Sequence, residues 1–447
     1  MIVGHKIDSG TYGEIYSSAL DKTELIKICP KMHHNYYYSQ QMLQEIVFSS
    51  MCSHPNIIKQ KSVLLLNNKY HLVMENGGQN LFAYFRTIKA INDRIILLPN
   101  IILQIASGLD YMHKNKIAHG DLKQTNIVYD ETTKKIKLID FGGIMSFRTN
   151  VKHDSICTPG YISPETIEYD GNQTYASDIW AFAVIILQCI NPYFDMHLDY
   201  KTVRNFKKKS LYYNLELSQN IKKNMHLIDP ELSELLNQMM VFDPTKRITI
   251  DGIFRSDYFK KMSPILEKSI IQDCFAYNNI ILYLNKDKIE KTGEYRKILL
   301  EWLYDICKAL DIFECLCLCV LILDIYTSLE CVQISITNLQ AIGSACLIIT
   351  TNMLLSNPLN TQILGTLTDK AFTPETIEKT IDLILEKLKY KVYYNTFDNE
   401  ILQLNNQVVD YECVFRICKN ISNIGFSMDK LINLYELEKR SKRRKIN

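Results

Sequence analysis

Asp121, Lys123 and Asn126 lie together in the run His119-Gly120-Asp121-Leu122-Lys123-Gln124-Thr125-Asn126, and Asp140 follows fourteen residues later in Asp140-Phe141-Gly142. Phosphoryl transfer needs such a set. One carboxylate receives the proton of an attacking hydroxyl. A second carboxylate and an amide hold Mg²⁺ on the phosphates. A cation neutralises the transferring group. Taken singly, each of these residues is also a good polar cap for a loop. Their order, and the apolar strand Lys135-Ile136-Lys137-Leu138-Ile139 between them, favour the chemical reading.

The elements that must position this set read as follows. Ile7-Asp8-Ser9-Gly10-Thr11-Tyr12-Gly13-Glu14-Ile15-Tyr16 has a strand–turn–strand pattern whose glycines let backbone N–H groups approach a phosphate. Glu24-Leu25-Ile26-Lys27 is a short strand ending in a cation, and Gln44-Glu45-Ile46 precedes His54-Pro55-Asn56 by nine residues, counting from Glu45. Tyr70-His71-Leu72-Val73-Met74-Glu75-Asn76 reads as a buried strand.

In this order the segments resemble the eukaryotic serine/threonine protein kinases, over residues 1–261. The resemblance implies a bilobal α+β fold that uses ATP and Mg²⁺. Asp121 would be the catalytic base and Lys123 the γ-phosphate cation; Asn126 and Asp140 would be the metal ligands. Gly10 and Gly13, flanked by Ile7 and Ile15, would form the glycine-rich loop over the nucleotide. Lys27 would hold the α- and β-phosphates, paired with Glu45 on the following helix. Met74 would be the gatekeeper, with Glu75 and Asn76 in the adenine-binding hinge. Lys123, with Thr158-Pro159-Gly160-Tyr161 ahead of Ser163-Pro164-Glu165, resembles serine/threonine rather than tyrosine kinases. The resemblance also makes Glu165 and Arg247 a buried ion pair, and makes Asp178 an anchor for the catalytic loop. Tyr258-Phe259 closes the region.

Several positions depart from the family pattern. Asp8 replaces the first glycine of the loop, which puts a carboxylate near the nucleotide. Gly120 replaces the arginine that precedes the catalytic Asp and grips an activation-segment phosphate. In cyclin-dependent kinases two further arginines assist, and here Gln44 and Met145 occupy their places. A dianionic phosphate without arginines gains little, so activation-segment phosphorylation is not expected to be required. Arg148 and Lys152 are the candidates for a substitute site. Ile162 stands where proline-directed kinases carry an arginine, so that preference is not carried over.

Beyond residue 296 the apolar spacing becomes helical: Leu299, Trp302, Leu303, Ile306 and Leu310 fall on one face, as do Ile377, Ile381, Ile384, Leu385 and Leu388. Thr373-Pro374-Glu375 supplies a cap and a first-turn proline. Arg296-Lys297-Ile298-Leu299-Leu300-Glu301-Trp302-Leu303 resembles the opening of a cyclin box. Leu323-Asp324-Ile325-Tyr326, Leu339 to Cys346, Leu367 to Thr373 and Asn395-Thr396 resemble its later segments, in order. The alternative is a generic helical bundle. Cyclins hold the kinase helix with a Lys and a Glu; Asn352 and Ile381 stand in those places. Two outcomes stay open: the helical half packs on its own kinase through other contacts, or it recruits a partner kinase.

Length and composition set the outer bounds. A chain of 447 residues is long for one core, and 47% apolar with 22% charged residues describes a folded globular protein. A net charge of +2 implies no general attraction to nucleic acid. Met1 to Lys6 has no apolar core of a secretory leader, so the thirteen cysteines are expected to be reduced thiols in the cytoplasm or nucleus. Cys315, Cys317 and Cys319 are either small buried helix residues or metal ligands. The charge-free apolar run Cys315 to Leu323 is too short for a bilayer, so no membrane contact is expected. The basic run 439–445 is a nuclear signal, a nucleic-acid patch or a solvated helix end.

The reading is thus a bilobal kinase at 1–261, a linker at 262–285, an all-α cyclin-like domain at 286–396, and an extension at 397–447 with a basic tail. The expected activity is ATP-dependent phosphorylation of serine and threonine in protein substrates. The fused half would position the kinase helix or recruit substrates. The rival is a catalytically weak scaffold whose helical half binds partner proteins.

Overall fold

The computed structural model describes residues 2–10, 13–30, 40–146, 158, 160–168, 174–191, 229–261, 293–329, 331–355, 358–368, 371–392, 396, 409–419 and 435. Arg148, Lys152, Pro159, the expected linker 262–285, Asp369-Lys370, Asn395 and the basic run 439–445 lie outside the described residues. The chain divides into two compact units. Met1–Pro30 and Cys52–Cys274 form the first, and Lys31–Met51 and Phe275–Asn447 form the second.

In the first unit, strands β1 (Val3–Gly10), β2 (Gly13–Ser18), β3 (Glu24–Pro30), β4 (Gln60–Leu66) and β5 (Lys69–Glu75) make an antiparallel sheet in the order β1-β2-β3-β5-β4. Asn67 and Asn68, at φ 49° and 60°, close the β4–β5 hairpin. Asn tolerates this left-handed backbone, which a two-residue turn requires if it is to match strand twist. The helix between β3 and β4, α1 (Gln40–Met51), belongs to the second unit.

The rest of the first unit is mainly helical: α2 (Leu81–Thr87), α3 (Ile91–Lys114), α4 (Pro164–Glu168), α5 (Tyr175–Ile190), α6 (Pro230–Met239), α7 (Ile250–Arg255) and α8 (Asp257–Lys261). Short strands β6 (Gln79–Asn80), β8 (Ile127–Asp130) and β9 (Lys135–Leu138) form one small sheet, and β7 (Ile117–Ala118) pairs with β10 (Met145–Ser146). At 24 residues α3 is long and apolar enough to cross a bilayer, but Leu98, Ile102, Ile105, Leu109 and Met112 are buried inside the unit, as in a core helix. A Cβ on Gly108 would lie 2.9 Å from Leu138 Cδ1, so the glycine permits the close approach of α3 to β9. Thr174 and Ser177 form a reciprocal capping box that starts α5 beside the catalytic loop.

The second unit holds α1 with α9 (Gly293–Ala309), α10 (Leu316–Ser328), α11 (Ile336–Leu354), α12 (Thr361–Leu367), α13 (Pro374–Lys387) and α14 (Tyr411–Lys419). Helix α11 packs against α1, α9, α10 and α13. Its Ala341, Gly343, Ser344 and Ala345 are small, and a Cβ on Gly343 would lie 2.9 Å from Leu299 Cδ1 of α9. Small side chains are what let these two helices cross closely. Thr373 caps α13 and Pro374 begins it; Ile377, Ile381, Ile384 and Leu385 form its buried stripe. On α9, Leu299, Leu303 and Ile306 are buried, but Leu310 is exposed. The helix ends at Ala309 and Asp311 turns the chain at φ 54°, so the buried stripe stops at Ile306 and Cys307, and Leu310 falls outside the helix.

Arg296 and Asp324 are both buried and face each other in a two-pronged pair, Nε to Oδ1 at 2.8 Å and Nη2 to Oδ2 at 2.7 Å. The same guanidinium donates to the Cys418 carbonyl of α14. Burial works against the Arg296 charge, and Asp324 outweighs it. One pair thus ties α9, α10 and α14. Cys315, Cys317 and Cys319 are buried, and no cluster of three or more metal-ligating side chains occurs among the described residues.

Candidate active site

The catalytic loop hangs from Asp178 in the first turn of α5. Its buried carboxylate accepts from the backbone N–H of His119 at 2.8 Å and of Gly120 at 3.1 Å, and lies 2.9 Å from His113 Nε2. Gly120 has φ 77°, a left-handed backbone that favours glycine. The residue that displaces the family's arginine therefore relieves the backbone at the bend where Asp178 grips it.

Beyond the bend, four side chains converge. Lys123 Nζ donates to Asp121 Oδ2 at 2.6 Å and to Thr158 Oγ1 at 2.8 Å. Thr158 Oγ1 donates to Asp121 Oδ1 at 2.6 Å. Asn126 Nδ2 donates to the Asp121 carbonyl at 2.9 Å and to Oδ2 at 3.1 Å. Both oxygens of Asp121 are thus held by donors. Thr158 was legible in sequence only as a family marker; its hydroxyl joins the site from 37 residues downstream.

Asp140 takes φ 64°, a strained conformation for a residue with a side chain, and lies 3.2 Å from Lys27 Nζ. Burial works to raise the Asp140 carboxyl, but the charge and hydrogen bond of Lys27, with help from His119 and Lys123, hold it below the usual carboxylate range. Phe141 is buried beside the His119 ring, with centroids 5.7 Å apart. The donors suit a hard cation. Asp140 offers carboxylate oxygens. Asn126, whose amide nitrogen is spent on Asp121, keeps Oδ1 for a metal.

The sheet brings the nucleotide-site residues into rows. Asp8 lies opposite Ile15, Ile15 opposite Lys27, and Lys27 opposite Leu72. Leu25, two residues before Lys27, lies opposite Met74, so Ile15, Lys27 and Met74 share one face with Asp8. Ile7 is exposed on β1, at an irregularity between the Lys6 and Asp8 pairings. Gly10 ends β1 and Gly13 begins β2. A Cβ on Gly13 would sit 2.7 Å from the Ile28 carbonyl, so packing against β3 alone requires a glycine there. Glu45 is buried on α1 in the second unit.

In the hinge, Glu75 Oε1 accepts the Lys59 N–H at 2.7 Å and pairs with Lys137 at 2.8 Å. The Asn76 N–H is spent on the Thr23 carbonyl at 2.8 Å, and the Gly78 N–H on Asn76 Oδ1 at 3.1 Å. Among the described residues nothing takes up the N–H of Gly77. Sequence reading stopped at Asn76 and missed it. Its signal was the Gly77-Gly78 pair: a Cβ on Gly77 would meet Val128 Cγ2 at 2.4 Å.

Away from the chemistry, Arg247 forks onto Glu165 at 2.6 and 2.7 Å, fully buried, and lies 5.2 Å from the Trp180 ring centroid. This is the ion pair expected from sequence. It braces the segment that follows Thr158.

The family model for the protein kinase domain matches residues 1–259, and that for the cyclin N-terminal domain matches residues 269–393. Among similar proteins, the probable serine/threonine-protein kinase mkcF of Dictyostelium discoideum is 29% identical over 65% of this chain and 40% of its own length. Calcium-dependent protein kinase 5 of Plasmodium falciparum is 28% identical over 66% of this chain and 49% of its own. CBL-interacting protein kinase 26 of Oryza sativa is 28% identical over 50% of this chain and 44% of its own. The chain thus spans less than half the length of these three relatives. With Lys27, Asp121, Lys123, Asn126 and Asp140 in the kinase order, the chain belongs to the protein kinase family and carries a cyclin N-terminal domain after the kinase domain.

Proposed function

We propose that the protein transfers the γ-phosphoryl group of ATP to serine and threonine hydroxyls of protein substrates. The observation that carries this reading is the closed set of Asp121, Lys123 and Thr158 beside Asn126. Asp121 accepts the hydroxyl proton as the oxygen attacks. Lys123 neutralises the transferring group, and Thr158 keeps Asp121 and Lys123 in register. Lys27 leaves Asp140 for the α- and β-phosphates. Asn126 and Asp140 are the residues that would hold Mg²⁺, which when bound supplies charge neutralisation on the phosphate oxygens. Ile15 and Met74 enclose the base, and the Gly77 N–H orients it. Gly120, Gln44 and Met145 offer no cation to a phosphorylated activation segment, so activity does not depend on that modification. The test is transfer of radiolabelled phosphate to a generic acceptor protein with Mg²⁺. Wild type should label it and Asp121→Asn should not; equal labelling by both would remove the reading.

The fused half is proposed to position the helix bearing Glu45. A cyclin-like partner on the same chain acts at an effective concentration of about a millimolar for short linkers, so a modest interface suffices. A fragment of residues 1–265 as active as the full chain would refute this. One observation favours the weak-scaffold alternative: Asp8 shares a face with Lys27. If it repels nucleotide, Asp8→Gly should lower the KM for ATP. The basic run 439–445 suits nuclear import, which tail deletion in a fluorescent fusion would test.

A further inference from the structure

Helix α1 carries one charge, Glu45, in twelve residues, and Met42 through Ser49 are all buried. A helix buried nearly all round takes its position from its neighbours. Within the second unit its neighbour is α11. The last carbonyls of any helix lack intrahelical partners, and α11 has no basic residue in its last turn to meet them. The Thr351 carbonyl accepts the Leu355 N–H at 2.9 Å. The carbonyls of Asn352 and Leu355 instead accept from α1. Gln40 Nε2 donates to Asn352 O at 3.1 Å and to Leu355 O, one amide proton for each. Gln44 Nε2 donates to Asn352 O at 3.3 Å. The two glutamines are four residues apart, on one face of α1. The Asn352 side chain takes no part in this contact: its Nδ2 turns back to Ile348 O at 2.9 Å.

We propose that Gln40 and Gln44 are positioning residues that latch α1 to the C-terminal end of α11. The inference rests on the kinase reading for its consequence, since α1 carries Glu45. All the donors are on α1 and the acceptors are backbone carbonyls at the C-terminal end of α11 and its cap residue Leu355, so side-chain identity at Asn352 does not matter but donor capacity at residues 40 and 44 does. Gln44 is also the position where related kinases carry a phosphate-gripping arginine. Here that position answers to the fused half instead of to a modification.

The test uses the full chain with Gln40→Ala, Gln44→Glu and Gln44→Lys. Hydrogen exchange is followed in α1 and, as a control for folding, in α13; phosphate transfer is measured in parallel. Gln44→Glu turns a carboxylate toward a carbonyl and should speed exchange in α1 by about tenfold or more, leaving α13 unchanged. It should lower kcat more than it raises the KM for the protein acceptor. Gln40→Ala should act in the same direction. Gln44→Lys keeps a donor and adds a cation, favourable at a helix C-terminus, and should restore both readouts. Unchanged α1 exchange in Gln40→Ala and Gln44→Glu would overturn the latch, as would a loss in Gln44→Lys equal to that in Gln44→Glu. If Gln44→Glu unfolds α13 as well, Gln40→Ala decides the matter. A wild type that transfers no phosphate, with α1 still loosened by Gln44→Glu, would keep the latch and sink the kinase reading. The opposite pattern would keep the kinase and sink the latch.

Discussion

Two kinds of charge pair hold this protein, and they differ in how firmly they are closed. Arg247–Glu165 in the first unit and Arg296–Asp324 in the second are fully buried and two-pronged. Lys27–Asp140 and Lys123–Asp121 are single-pronged, made by flexible ammonium groups, with the carboxylates partly open to solvent. A planar guanidinium matched to a carboxylate fixes geometry and does not let go cheaply. An ammonium on a four-carbon stem can leave one partner for another. The scaffold pairs bind elements together; the proposed catalytic pairs hold charges that the proposed mechanism requires to exchange partners.

The contrast breaks if the catalytic pairs prove structural or the scaffold pairs dispensable. The largest effect on rate is expected for Asp121→Asn, about 10²–10⁴-fold in kcat with the melting temperature nearly unchanged. A comparable rate loss accompanied by unfolding would put Asp121 among the scaffold residues. The largest effect on stability is expected for Asp324→Ala, which leaves Arg296 buried without its partner and should cost about 3–5 kcal/mol in urea unfolding. Less than about 1 kcal/mol would show that the Cys418 carbonyl and the α-helical packing carry that junction instead.

Thr158→Ala should be intermediate. It removes one hydroxyl and its two hydrogen bonds, to Asp121 and from Lys123, and should lower kcat about tenfold or more, with Thr158→Ser restoring most of it. The pH behaviour sharpens the same point. The Asp140 carboxyl is held low, so the stability it contributes is present above the ordinary carboxylate pKa of about 4 and is lost as pH falls through its depressed value. Lys27→Met should therefore move the acid unfolding midpoint upward. No movement would mean that Lys27 does not hold Asp140 in solution.

The smallest effect concerns thiols. Burial pushes Cys189 and Cys307 up to about 12, while Cys331 is exposed. Alkylation near pH 8 should label Cys331 well before either, as followed by peptide mass analysis. Early labelling of Cys307 would show that the helical core opens readily.

Much of the site was legible because its chemistry is local. Asp121, Lys123 and Asn126 share one loop, so residue type and spacing identify them together. Lys27 and Met74 were legible only through the resemblance to kinases; the strand register then puts them on one face. The helical half was legible at Thr373-Pro374, a cap that acts within one turn, and less so at Leu310, where a left-handed residue outside the period ends the helix early. Gly77 escaped although the Gly77-Gly78 pair marked the place, because a backbone N–H with no partner among the described residues is not a matter of residue type.

The sequence by itself determined which groups are present to do chemistry and which segments form strands and helices. Both follow from interactions a few residues long. Only the tertiary structure decided that the Thr158 hydroxyl closes the Asp121–Lys123 pair and that α1 belongs with α11. Each joins residues from 35 to more than 300 positions apart. Nothing in local period encodes such a meeting, because the partner is often a backbone carbonyl or N–H, which every residue has and only the fold can aim.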